Sequence, residues 1–201
     1  MSLASKILNQ SRLYHLKKAP LLTEATFEDQ IASLLEKVFD DWHVIRFKSD
    51  VYSDIYDNTS RPDLALIHKA YKSWCVVEVE TSSHDIGRHI IPQVKTFLDG
   101  RYNQNHARTI LKNYSTIFKV QQLENLICNV QPEVFVISES YNPEWHKILK
   151  NEGCKYFAFE PHESERSEWL FYFKGDSPSI NKTLLSYCRP SKNYSFLKCL
   201  E

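Results

Sequence analysis

The sequence predicts a single α/β domain with a central mixed sheet flanked by helices, on three observations. A capped amphipathic helix comes first, near Thr23. Three short β-prone segments follow it as a meander. From residue 133 onward, strands alternate with a helix. The expected organisation is a helical extension over residues 1–22, a core over 23–160, and a strand and tail over 161–201 packed on that core.

Each element has a local cause. Over residues 3–18, Leu3, Ile7, Leu13 and Leu16 are partly in phase for a short amphipathic helix. Thr23 is placed to cap the next helix, with Leu22 and Phe27 at staple positions. Phe27, Ile31, Leu34, Leu35, Val38 and Phe39 then recur at helical spacing, which should end near Trp42. His43 to Ser49 alternates as a strand, and residues 50–60 are polar and turn-rich. Leu64 to His68 and Trp74 to Glu80 are the next strands, joined by a hairpin connection over Lys69 to Ser73. Ser82 and Asp85 have capping-box spacing, and Pro92 must kink or restart the helix they open. One long helix is expected over Arg108 to Ile127. Glu133 to Ser138 is a buried strand. Asn142-Pro143 opens a helix that Gly153 stops. Lys155 to Phe159 and Trp169 to Phe173 are strands, and Thr183 to Tyr187 has weak helical character.

Composition excludes several classes. No apolar run approaches the roughly 18 residues needed to span a bilayer, and the N-terminus lacks a secretory h-region. These features point to the cytoplasm and away from the membrane. Gly occurs only 4 times, and neither GxGxxG nor GxxxxGK[ST] is present, so the common phosphate loops are missing. The 5 cysteines form no CxxC pair and have no His at zinc-ligand spacing, which reads as reduced thiols. No GxSxG elbow supports acyl hydrolysis near His84-Asp85 and His89. Lys+Arg and Asp+Glu are 25 each, giving a formal net charge of +0. The cations cluster, however: Arg88, Lys95, Arg101, Arg108, Lys112 and Lys119 run against the single acid Asp99. That stretch is either one basic face for phosphates or ordinary solvated helix surface.

The informative constellation is Arg61-Pro62-Asp63-Leu64 followed by Cys75-Val76-Val77-Glu78-Val79-Glu80. Residues two apart on a strand share a face, so Glu78 and Glu80 point the same way. Pairing of the two strands brings Asp63 beside them. Two inward carboxylates on so apolar a strand repel each other and call for compensation, which a divalent cation with oxygen ligands supplies. The alternative placement turns Glu78 and Glu80 to solvent, with Val77 and Val79 inward and Asp63 a strand-entry residue. His84, His89 and His106 are either contacts for phosphate or base, or solvated polar residues.

On these residues the chain resembles the PD-(D/E)XK nuclease superfamily over Thr23 to Phe159. The resemblance implies a restriction-endonuclease-like core and a Mg²⁺- or Mn²⁺-dependent nuclease acting on DNA. It implies that Asp63 and Glu78 hold the metal with the backbone carbonyl of Val79, and that Glu28 on the first helix adds an acid to that centre. Glu80 stands where the family usually has Lys, as in some active restriction endonucleases. It would then act as base or as ligand to a second metal, while Lys95 would restore the missing cation. Arg88, Gln93, Arg101, Arg108 and Lys112 are the expected nucleic-acid contacts. A homodimer would cut both strands of a duplex. The alternatives are the same fold without catalysis, as a binding module for nucleic acid or protein, and an oligomer-forming accessory protein suggested by the 13% aromatic content.

Overall fold

A computed structural model describes residues 5–9, 12–18, 23–164, 169–176 and 194–197, with side chains over 23–162 and 172–176. The chain is a mixed α/β protein built on one large sheet. Helix α1 (Glu24–Val38) starts at Thr23, whose hydroxyl accepts a hydrogen bond from the Thr26 amide at 3.3 Å. It ends a turn earlier than the spacing suggested. Strand β3 (Trp42–Arg46) follows, then a small ribbon, β4 (Val51–Ser53) and β5 (Asn58–Ser60). That ribbon lies within the segment 50–60, expected to be polar and turn-rich. Strands β6 (Leu64–His68) and β7 (Trp74–Glu80) complete the expected meander.

After β7 comes a single π turn, Ile86–Ile90, capped by Asp85, which accepts from the Arg88 amide at 2.9 Å. Pro92 then sits in the first turn of a fresh helix, α2 (Ile91–Asp99), as its missing N–H requires. The expected single helix over Arg108 to Ile127 is two helices, α3 (Gln104–Tyr114) and α4 (Val120–Asn129). The break buries Phe118 in the core and lets Tyr71 hydroxyl accept from the Lys119 amide at 2.8 Å. Strand β8 (Glu133–Ser138), α5 (Pro143–Asn151), β9 (Lys155–Ser164), β10 (Trp169–Gly175) and β11 (Tyr194–Leu197) finish the described chain. The weak helical character at Thr183 to Tyr187 and the staple residue Leu22 lie outside the described residues.

Residues 3–18 do not form the expected helix. The described part is a hairpin, β1 (Ser5–Asn9) with β2 (Arg12–Lys18), and Leu16 to Lys18 of β2 pair with Ser164 to His162. The apolar phase over this segment was only partial. An open row of N–H and C=O groups at the end of β9 offers it backbone bonds instead.

The sheet runs β1-β2-β9-β8-β7-β6-β3, with β10 antiparallel on β9 and β11 parallel on β10. Strand β7 is the switch: antiparallel to β6 and parallel to β8. All its residues are buried. One face of the sheet packs on α1 through Phe27, Ile31, Leu64, Val77, Val79 and Ile137. The other packs on α2 and its neighbours through Ala65, Trp74, Val76, Val94, Phe97 and Val136. A strand covered on both faces has no solvent side, so the outward placement of Glu78 and Glu80 is not available.

Gly100 ends α2 where the backbone touches the ribbon. A Cβ there would stand 2.3 Å from Val51 Cγ1 and 2.7 Å from the Thr96 carbonyl oxygen. Gly100→Ala is therefore expected to lower stability by about 1–3 kcal/mol. The check is a lower urea midpoint with an unchanged slope.

Candidate metal centre

Alternation along β7 places Glu78 and Glu80 on the α2 face, continuing the row of Trp74 and Val76. The β6–β7 register pairs Leu64 with Val77, so Asp63, one residue earlier, stands opposite Glu78. The Asp63 amide donates to the Val77 carbonyl at 3.1 Å, and the Val79 amide donates to Asp63 Oδ2 at 2.8 Å. Asp63, Glu78 and Glu80 thus gather where β7 leaves the sheet, and all three are buried.

Glu78 is 5% exposed. Its Oε1 accepts from Gln93 Nε2 at 2.8 Å, and its Oε2 has no hydrogen-bond partner. Among the described residues only three buried side-chain polar atoms lack a partner, and two of them are here: Glu78 Oε2 and Gln93 Oε1. Gln93 Oε1 and, when Glu78 is ionised, Glu78 Oε2 are acceptors. A buried acceptor without a donor costs about 1–3 kcal/mol, and a cation beside Glu78 would satisfy its oxygen. Burial pushes the Glu78 carboxyl well above the ordinary carboxylate range, and the neighbouring Asp63 and Glu80 charges push it further. The donor set is oxygen only, as a hard divalent ion prefers.

The second half of Asp63 is held by a lysine. Lys48 Nζ contacts Asp63 Oδ1 and lies 3.0 Å from Glu28 Oε2. Glu28 Oε1 in turn takes Arg46 at 2.8 Å. Burial opposes the Lys48 charge, but the Asp63 and Glu28 carboxylates outweigh it and raise its pKa. Glu28 therefore reaches the centre through Lys48, as a holder of the lysine.

The expected cation, Lys95, is directed elsewhere. It lies 3.5 Å from Glu152 and over the Tyr56 ring at 5.9 Å. Gln93 faces Glu78, and a residue two positions on along a helix faces nearly the opposite way. Arg101 pairs with Asp54, and Arg108 donates to Gln104 at 3.2 Å, so these two engage local partners. Arg88 and Lys112 are exposed, on the π turn and on α3. His106 is a structural residue: it completes the capping box with Asn103, and its Nε2 lies 2.9 Å from the Asp50 carbonyl oxygen.

Glu80 is 1% exposed and has two imidazole partners. His84 Nδ1 contacts its Oε2, and His89 Nε2 lies 3.4 Å from its Oε1. Burial raises the Glu80 pKa against the pull of both histidines, while the Glu80 hydrogen bond raises that of His84. Beside His84, Glu24, Thr81, Ser83 and Glu139 line a cleft of about 430 Å³. Glu139 accepts the Ser82 amide at 2.9 Å and the Ser82 hydroxyl at 2.5 Å, so Ser82 braces this wall rather than capping a helix.

Lys48 and Glu139 were missed by sequence reasoning. Lys48 is located by the register of β3 on β6. Arg46 pairs with Leu64, so a residue two beyond Arg46 extends past the strand toward Asp63. Glu139 had no sequence signal, because its role depends on a loop conformation.

No helix of the described residues is long and apolar enough to cross a membrane. Comparison of the chain with protein-family models, with curated proteins and with solved structures finds no match.

Proposed function

We propose that the protein is a divalent-metal-dependent nuclease of restriction-endonuclease-like type, hydrolysing phosphodiester bonds of DNA. The observation that carries this reading is the partnerless buried oxygen of Glu78 beside Asp63. Asp63 and Glu78 would hold Mg²⁺ or Mn²⁺. Such an ion polarises a phosphoryl oxygen and lowers the pKa of a bound water. Gln93 fixes the Glu78 carboxylate through its amide. Lys48, steered by Glu28, is the cation placed to meet charge developing on the phosphate. It takes the part expected of Lys95. Arg88, exposed on the π turn beside the centre, is available to the nucleic-acid backbone.

The test is digestion of plasmid and end-labelled duplex in Mg²⁺, Mn²⁺ and EDTA. Cleavage is expected with either metal and none in EDTA. Lys48→Ala is expected to slow it by roughly 10²-fold, the loss typical of one aimed donor. Absence of cleavage under every condition rejects the reading.

One observation favours the alternative, a binding module on the same fold: the Lys48 ammonium already neutralises Asp63. A melt separates the two. Mn²⁺ at about 100 times its Kd adds about 2.7 kcal/mol of stability to a competent site, and nothing to one the lysine has closed.

A further inference from the structure

We infer that Glu80, His84 and His89 form a second cation site, for a borderline divalent ion such as Zn²⁺, separate from the oxygen-only centre at Asp63 and Glu78. The three donors come from the end of β7, the loop after it and the π turn. One ligand atom from each lies within 4.8 Å of the other two. A tetrahedral ion with bonds of about 2.0–2.1 Å separates its ligand atoms by about 3.4 Å. His89 Nε2 and Glu80 Oε1 are 3.4 Å apart.

Two imidazoles and one carboxylate are a donor set for Zn²⁺ and similar ions, with a position left for water. Mg²⁺ and Ca²⁺ prefer oxygen alone.

One further observation supports the assignment. The five-residue π turn is what returns His89 toward Glu80, and π segments are rare and often found at functional sites. The side chains of His84 and His89 are 33% and 51% exposed, so an ion can enter from solvent.

The test is titration of the metal-free protein with Co²⁺, read by visible absorption. Cobalt held by two histidines and a carboxylate at low coordination number absorbs strongly, whereas six-coordinate cobalt on oxygen ligands is pale. A strong band is expected in the wild type and in Asp63→Asn. It should be lost in His84→Asn and in His89→Asn, with melts showing both variants folded. Zn²⁺ should bleach it. A wild type with no strong band, a band that survives both histidine changes, or a band lost with Asp63→Asn would each overturn the assignment. Because the readout is a spectrum, failure of DNA cleavage leaves this result standing, and the reverse.

Discussion

Asp63→Asn is expected to lower DNA cleavage by roughly 10³-fold or more while leaving the protein folded. A bound cation contributes several kcal/mol to stabilising a phosphoryl transition state, and each 1.36 kcal/mol is tenfold in rate. The asparagine oxygen still accepts the Val79 amide, so the strand pairing survives. What disappears is the charge that faces Lys48 and would face the metal. Glu28 continues to hold Lys48, which confines the damage to the centre. Rates should be compared in Mg²⁺ and Mn²⁺, with circular dichroism and urea melts on the same samples. Cleavage at the wild-type rate in either metal removes Asp63 from the mechanism.

Glu78→Gln should also abolish cleavage, yet make the metal-free protein more stable. Burial, Asp63 and Glu80 all raise the Glu78 pKa. The folded state therefore binds more protons than the unfolded chain between the ordinary glutamate value and that raised one. By linkage, stability falls as pH rises through this window. Glutamine has no proton to lose, so its curve lacks this fall. His84 and Glu80, whose pKa values are also raised, contribute slopes of the same sign, so the slope lost in the variant is that of Glu78 together with its interaction with Glu80. In EDTA the variant should gain about 1–3 kcal/mol over the wild type above that window, the scale of an unsatisfied buried group. The gap should narrow as pH falls through that window and the glutamate takes up its proton. Added Mn²⁺ should stabilise the wild type alone. A variant less stable than the wild type at every pH would show that the buried carboxylate is already satisfied.

The contrast between β7 and the N-terminal segment shows what the sequence could reveal. Trp74 to Glu80 is apolar and β-prone, and the short link from β6 leaves little choice but a hairpin. The meeting of Asp63 with Glu78 was therefore readable from order and spacing. Residues 3–18 lack such a pattern, and their strand pairing depends on a β9 edge more than a hundred residues away. The split between α3 and α4 is similar: Ile110, Leu111, Tyr114, Ile117 and Phe118 share one helical face in the sequence, but α3 ends at Tyr114 and Phe118 packs beside His43 and Tyr71. At the centre, the acids were legible and their partners were not. Gln93 was named by the resemblance alone, as a nucleic-acid contact, and in the structure its amide donates to Glu78. Lys95 was chosen from a neighbouring position on the same helix, where the angular offset sends it to Glu152. The lysine that reaches Asp63 comes from before the motif, and only the β3–β6 register reveals it.

The β4–β5 ribbon is fastened to α2 at three points. Asn58 donates to Thr96 at 2.7 Å, Ser53 to Asp99 at 2.6 Å, and Val51 seats against Gly100. Its tip presents Tyr52, Ile55 and Tyr56 to solvent. Helix α2 is also the mount of Gln93. An aromatic fingertip and the amide gripping Glu78 therefore share one mount, the helix α2.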